Sequence, residues 1–464
     1  MQLVSIGEIN KGNINIIINY KNVNGSNKIY HQRNLKNMKI LLISPHTSRK
    51  RSYLNKFQYP SLTLQQIAGI TPREHDVEIV DERYEDINFD NHYDLVGISC
   101  LTYNSLRGYE IAEIFRKKGI PVVFGGYHAS LMPDEAKQHA DSIVIGEAEY
   151  NWPKVLKDVQ KGKLKPFYKP EKLVEPEDIP PARHDIGVYT PWEAVQASRG
   201  CPTGCEFCAM QKIEGPRFRG RIVDQLVDEM KIIKSKTIFF ADASLTISPL
   251  YSKKLFKEMA QVNKKFHCFG NINVISRDDE LLKLSRDAGV ARWYLGIESI
   301  SQENINQAGK STNKVENYAT AIKKIKDHGM SVTGFFIFGL DHDTPETFQK
   351  TLDAIYEWGL DSASFSIVTP YPGTRLFERF EKEGRITNYD WSRYEEGKVN
   401  YKPVKLTEQE LLEGIRYIAK DFFSLKQSFK RSFNRYHLNP IDAVITFAGN
   451  LSLRYFYMYE KLDI

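Results

Sequence analysis

Residues 193–210 read EAVQASRGCPTGCEFCAM. The short run "EAVQAS" has the length and composition of a buried strand, and Gly200, Pro202 and Gly204 break it into a loop. That loop carries Cys201, Cys205 and Cys208, three of the five cysteines in the chain, so the cluster reads as a ligand set. Thiolates bind zinc or iron–sulfur clusters, and three readings stand open. Structural zinc takes four ligands in two pairs, and no second pair follows. An electron-transfer cluster takes four cysteines, yet Cys100 and Cys268 stand alone inside apolar strand patterns, as small buried residues do. A cubane cluster with three protein ligands leaves one iron open to bind something else.

Outward from this loop the same rhythm recurs. Between 193 and about 385, strands are expected at "EAVQAS", "KTIFFAD", "FHCFGNINV", "ARWYLGIES", "SVTGFFIFG" and "SASFSIV". Each leads into a helical stretch. In the first, Ile222, Val223, Leu226, Val227, Met230 and Ile233 share one face, and Pro345 sits in the first turn of another. Six β-α units make an α/β partial barrel or open parallel sheet, two units short of a full barrel. Barrel active sites lie at the carboxyl ends of the strands, where the cysteine loop falls.

Residues 38–160 alternate in the same way. "KILLIS", "DVEIVD", "DLVGIS", "PVVFGG" and "SIVIGE" read as strands, with helices at "LTLQQIAGI", "LRGYEIAEIFRKKG", "DEAKQHA" and "NWPKVLKDVQKG". Runs apolar throughout and separated by helices mark a doubly wound parallel sheet covered on both faces. Such sheets bind ligands outside the carboxyl ends of their strands, here Pro45-His46, Ser99-Cys100, Gly125-Gly126-Tyr127-His128 and Gly146-Glu147. The paired glycines admit close backbone approach to a ligand; a tight turn is the alternative. "EPEDIPPARHD" makes 161–190 a linker. Residues 1–37, with nine Asn and Glu8 as the only acid, read as a flexible extension with no strand beyond "INIII". The end, 391–464, is a helical extension with a capping box from Thr407 to Glu410. Its aromatic-rich last part reads as helices packed on the barrel, with a lid over an apolar substrate or a membrane-surface contact as the sharper alternative.

The net charge of +6 over 464 residues is far from the footprint of a dedicated nucleic-acid binder. No apolar run approaches the roughly 20 residues that span a bilayer, and no signal-peptide layout opens the chain. A cytoplasmic protein is expected, where clustered thiols hold metal.

The CxxxCxxC spacing, with Phe207 before the third cysteine and six β-α units after it, resembles the radical SAM superfamily. The resemblance implies a 4Fe–4S cluster on Cys201, Cys205 and Cys208. Its open iron takes S-adenosylmethionine, which is cleaved to a deoxyadenosyl radical. It also implies that Asp242 of "FFADAS" lies near the methionyl amine, that Glu298 of "YLGIES" binds the ribose hydroxyls, and that Gly334 and Gly339 of "GFFIFG" lie against adenine. Ala243 and Ser244 stand where many relatives have a second acid and an Asn. Arg217, Arg219 and Arg221 would neutralise the cluster or form a solvated turn.

The front part, "VVFGGYHASLMPDEAKQHADSIVIGEAEYNWPKVL", resembles the cobalamin-binding domain of the cobalamin-dependent subfamily. The C-terminal extension resembles that of the branch with hopanoid C-2 methylases. Gly125, Gly126 and His128 are then the cobalamin contacts. The DxHxxG motif of classical cobalamin domains is absent; "SPHTSR" keeps only His46, so cobalamin is expected without a histidine below the cobalt, or with His46 there in an unusual arrangement. The resemblance implies methylation of an unactivated carbon in a small-molecule, lipid-like substrate. It also implies an electron donor such as flavodoxin or ferredoxin, and it allows peripheral membrane contact. Cobalamin-assisted oxidation or cyclisation is the alternative. A non-catalytic cobalamin or cluster sensor would need an output module, and none is readable. Methylthiolation of transfer RNA would need further front-domain cysteines, where Cys100 stands alone.

Overall fold

The structure is a computed structural model of the chain. It describes residues 37–47, 59–310, 312–395, 397–433, 440–459 and 462, and within 1–36 the backbone of four short strands. Those strands pair antiparallel, Ile9–Asn10 with Asn13–Ile14 and Ile16–Lys21 with Asn27–Gln32. The hairpin partner at 27–32 was not expected; the rest of the expected flexible extension lies outside the described residues.

The first sheet holds β1 (Lys39–Ser44), β2 (Asp76–Asp81), β3 (Leu95–Ser99), β4 (Val122–Gly125), β5 (Ser142–Val144) and β6 (Phe167–Tyr168). They are parallel throughout, in the order β6-β5-β4-β3-β1-β2. "KILLIS" shows why. Side chains alternate across a strand, so Leu41 and Ile43 enter one core while Ile40 and Leu42 enter the core on the opposite face. A strand apolar on both sides belongs inside a sheet covered by helices. The segment read as a linker supplies the edge strand β6.

The second sheet holds β7 (Trp192–Val195), β8 (Thr237–Phe240), β9 (Lys265–Gly270), β10 (Val290–Glu298), β11 (Ser331–Phe338) and β12 (Ser362–Ile367), in sequence order and all parallel. These are the six expected strands. On the helix-covered face, Phe240, Cys268, Trp293, Leu295 and Phe336 join one large core. On the other face Phe239, Phe269, Tyr294 and Phe335 interlock, with centroids 5.3–5.8 Å apart, one ring from each of the four central strands β8 to β11.

Six helices bear on the site: α1 (Met210–Glu214), α2 (Gln302–Gln307), α3 (Arg375–Lys382), α4 (Glu408–Phe422), α5 (Leu425–Ser432) and α6 (Pro440–Tyr459). The expected capping box opens α4: Thr407 Oγ1 accepts from Glu410 N, and Glu410 Oε2 accepts from Thr407 N. α6 covers the edge strand β12. The Tyr457 hydroxyl accepts from Phe365 N at 2.6 Å and donates to Phe365 O at 3.0 Å, replacing the missing neighbour strand. Among the described residues no helix is long and apolar enough to cross a membrane.

The 161–190 segment is anchored to the second sheet through His184. Its imidazole donates to Glu229 at 2.9 Å and faces Glu193 at 3.6 Å. Burial alone would lower its pKa, but the two carboxylates raise it from 6.5 to about 9. A raised histidine pKa stabilises the fold fully below the unfolded value, and that stability is lost as pH rises through the folded value. The urea midpoint should therefore fall between about pH 6.5 and 9, and His184→Gln should flatten that slope.

Candidate active site

The cysteine loop leaves the end of β7 and is held from several directions. Gly200 has φ +80°, and a Cβ there would run into the Arg217 carbonyl, so the turn that launches Cys201 requires glycine. Gln211 of α1 donates to Cys201 O at 2.8 Å, and Arg375 donates to Gly204 O. Glu206 is bound by Arg379 of α3 at 2.9 Å, while its backbone N–H donates to Ala308 O at 2.9 Å. Burial pushes the Cys205 thiol up to about 12, with Cys201 and Cys208 close enough to add to the effect. Such a thiol becomes a thiolate when a metal supplies the charge. Among the described residues no three His, Cys, Asp or Glu side chains converge on a single-ion site. A four-iron cluster is wider than one ion, so its ligand sulfurs need not converge on one point. Three adjoining thiols, no fourth cysteine and a pinned loop fit such a cluster. Cys100 and Cys268 are fully buried elsewhere, with burial raising both thiols.

Two groups face this loop from β10 and the turn after α2. Glu298 ends β10 at a register shift with φ +63°, a left-handed conformation that costs a side-chain-bearing residue strain. Its carboxylate is paired with Lys310. Burial works against the Lys310 ammonium, but Glu298 and Cys205 hold it charged. Lys310 was not singled out in the sequence; only its spacing of twelve residues from Glu298 could have marked it. Asp242 accepts from Ala197 N at 3.0 Å and Ser198 Oγ at 2.5 Å, bracing the strand end before the cysteines. Burial, opposed by those bonds, raises its pKa to about 7. Its carboxylate lines neither cavity described below. Gly334 and Gly339 also line neither. Gly334 makes room for Ile297 and Leu360, and Gly339 O accepts from Tyr401.

The three arginines after the cluster are committed to other partners. Arg217 pairs with Glu175 at 2.9 Å and Arg221 with Glu229 at 2.6 Å. Arg219 is buried on Glu147 at 2.8 Å, and Glu147 also takes Arg199 at 3.2 Å. Arg199 reaches Glu149 at 2.6 Å. Glu214 accepts from Gly200 N and Gln196 Nε2, both at 3.0 Å. The carboxyl end of the first sheet is thus bound ionically to the strand end that launches Cys201.

A cavity of 500 Å³ lies over the carboxyl ends of β1, β3, β4 and β5, lined by Ser44, Pro45, Ser99, Gly125, Gly126 and Gly146 among others. Gly126 has φ +86°, and a Cβ there would stand 2.8 Å from Cys100 O; at Gly125 a Cβ would meet nothing closer than 3.8 Å. So Gly126 is a turn residue and Gly125 leaves open floor. His128 is a correction: a short helix, Gly126–Leu131, turns it away from the cavity. It is buried on the Tyr109 hydroxyl at 3.0 Å and Glu135 at 3.4 Å. Among the described residues no histidine lines this cavity, His46 included. A broad cavity floored by backbone fits a flat macrocycle.

A second cavity, of 630 Å³, adjoins it and shares Leu101, Tyr103, Tyr127 and Met210. Phe207 and Cys208 line it from the cysteine loop, and Leu453, Phe456 and Tyr457 from α6.

Residues 195–355 match the family model of the radical SAM superfamily, and residues 56–156 that of the B12 binding domain. The chain is 33% identical over 359 residues to the bacteriochlorophyllide d C-8(2)-methyltransferase of Chlorobaculum tepidum, covering 72% of this chain and 78% of that protein. It belongs to the cobalamin-dependent radical SAM methyltransferase family. The hopanoid C-2 methylase of Rhodopseudomonas palustris is 24% identical over 71% of this chain and 66% of its own length. Among solved structures, the radical S-adenosylmethionine methyltransferase TsrM from Kitasatospora setae shares the fold, with a TM-score of 0.68 at 16% identity over 88% of this chain and 95% of that chain. As a cobalamin-dependent radical SAM methyltransferase the protein is an enzyme, and its cofactors are a 4Fe–4S cluster, S-adenosylmethionine and cobalamin.

Removing Glu147 takes the one carboxylate from buried Arg219, leaving it only the Val174 and Glu214 carbonyls, and takes one of two from Arg199, a loss on the order of 3 kcal/mol. Glu147→Ala should therefore lower the thermal midpoint and the iron retained after anaerobic reconstitution. Glu149→Ala, which strips one partner from Arg199 alone, should do so less.

Proposed function

We propose that the enzyme methylates an unactivated carbon of a bulky, largely apolar, ring-built small molecule held in the second cavity. One observation carries the reading. The 630 Å³ space opens on the cysteine loop at one end and the front cavity at another, and among its lining residues Glu395 is the one carboxylate in an otherwise aromatic, aliphatic and small-polar wall. Its volume suits a small-molecule ligand. Bacteriochlorophyllides and hopanoids, named for the two curated relatives, are both large apolar ring systems.

In this reading residues 38–160 hold cobalamin, 191–390 hold the cluster and S-adenosylmethionine, and 391–464 close the substrate cavity. When bound, S-adenosylmethionine on the cluster supplies a hydrogen-abstracting radical and cobalamin supplies the methyl group. Cys201, Cys205 and Cys208 ligate iron. The Lys310 ammonium binds the methionine carboxylate. Glu298, released from Lys310, accepts hydrogen bonds from the ribose hydroxyls. Asp242 acts through the strand end it braces, and Gly334 and Gly339 through packing. Gly125 would leave open floor for cobalamin, and Gly126 would hold the turn beside it. Phe207, Tyr127, Tyr103 and Leu101 wall the space in which radical and methyl donor meet the substrate, and they exclude water there. Electrons come from a reduced one-electron carrier such as flavodoxin or ferredoxin in the cytoplasm.

Reconstituted enzyme given a strong reductant, S-adenosylmethionine and methylcobalamin should form deoxyadenosine and transfer a labelled methyl group to a polycyclic substrate. Deoxyadenosine without methyl incorporation across such substrates, or failure to take up cobalamin, would overturn the proposal.

Two variants divide the site. Cys205→Ala should lose the cluster. Glu298→Ala should keep the cluster but weaken S-adenosylmethionine binding about 10- to 150-fold, the cost of roughly 1.5–3 kcal/mol of hydrogen bonding. An unchanged dissociation constant would make Glu298 a structural residue.

A further inference from the structure

Among the described residues, sixteen large apolar side chains are exposed, and seven of them fall between 425 and 459. They are Leu425, Phe429, Phe433, Val444, Ile445, Tyr455 and Tyr459, each 45–76% exposed. Scattered single residues of this kind need no explanation, but these form one surface. Phe429 stacks on Phe433 at 4.7 Å, and both meet Phe447 of α6 at 6.0 and 6.1 Å, so the exposed faces of α5 and α6 are joined. Val444, Ala448, Tyr455 and Tyr459 then follow helical spacing along α6, and that stripe carries no charge. The opposite face of α6 is spent on the second sheet through Asn450 and Tyr457. Beside the apolar surface, α5 carries Lys426, Lys430 and Arg431 and no acid; the two lysines are exposed.

We infer that the joined face of α5 and α6 docks on the surface of an anionic lipid bilayer. The chemistry selects this occupant. Lysines beside an aromatic and aliphatic face complement acidic headgroups above a hydrocarbon layer, and tyrosines suit the boundary between them. A second copy placed on the same face by a two-fold axis would set lysine against lysine. With no helix fit to cross the membrane among the described residues, the face lies on the surface. The binding stands apart from the proposed substrate. Only its purpose rests on that reading: α6 lines the substrate cavity with Leu453, Phe456 and Tyr457, so the docked helix sets the cavity beside the bilayer in which an apolar substrate dissolves.

The test is flotation of the full-length protein, without substrate, with vesicles of phosphatidylcholine alone or mixed with phosphatidylglycerol. The protein should float with the mixed vesicles, and less so as salt rises. Lys426→Gln with Lys430→Gln should weaken that partitioning roughly 30-fold at low salt. Tyr455→Ser with Tyr459→Ser should weaken it without that salt dependence. Both double variants should keep the wild-type circular dichroism and deoxyadenosine formation, since none of the four residues touches the site. Protein that stays unbound with both vesicle types overturns the inference. So does a dimer, seen by sedimentation, that Tyr455→Ser with Tyr459→Ser dissolves, because a second copy would then own the face. Methyl transfer fails or succeeds independently of flotation, so the two readings cannot be confused.

Discussion

Glu147 sits buried between two guanidinium groups, Arg199 at 3.2 Å and Arg219 at 2.8 Å, and much of the active-site geometry depends on that arrangement. Taking three charges out of water is costly, and the cost is offset only while each partner stays in place. Glu147 follows β5 at the carboxyl end of the first sheet, and Arg199 stands two residues before Cys201. The front cavity and the cysteine loop are therefore held at one distance and in one orientation. Glu149 accepts from Nη2 of Arg199, and Glu214 accepts from Gly200 N at the turn. An apolar interface could have slid; an ionic one with directional bonds cannot.

The rest of the site follows a division between filled and open space. Four rings, Phe239, Phe269, Tyr294 and Phe335, fill the interior of the second sheet. Bound molecules are thereby confined to the carboxyl ends of the strands, where Glu298 and Lys310 face the thiols. Strain is concentrated there, in the left-handed backbone of Glu298. The two cavities meet at Leu101, Tyr103, Tyr127 and Met210. A wall of that composition limits water beside a reactive radical, and burial keeps the Tyr103 and Tyr127 phenols in their neutral form.

The C-terminal helices join this interior to the surface. One face of α6 satisfies the edge of β12 and lines the second cavity, and the other extends an exposed apolar surface with α5. A helix committed on one side and uncommitted on the other is well placed to connect an external phase to an enclosed reaction space.

The amino-acid sequence by itself determined the repeating parts. Both sheets were legible because their strands are local patterns: "KILLIS" feeds two cores by simple alternation, and the six later strands each end at a turn. The three-cysteine set proposed to hold iron was legible because all three lie within eight residues of one loop. Partnership between distant segments was decided only in the tertiary structure. His128 lies two residues from Gly126, yet the helix that begins at Gly126 carries it away from the cavity. Arg219 and Arg221 look like a basic turn until the chain brings Glu147 and Glu229 to them. Lys310 has no motif of its own, β6 is two residues inside a proline-rich stretch, and Tyr457 reaches Phe365 across 92 positions. Periodicity and spacing are properties of neighbours in the chain. A charge pair, a cavity wall or a capped edge is a property of neighbours in space, and the sequence order does not state which those are.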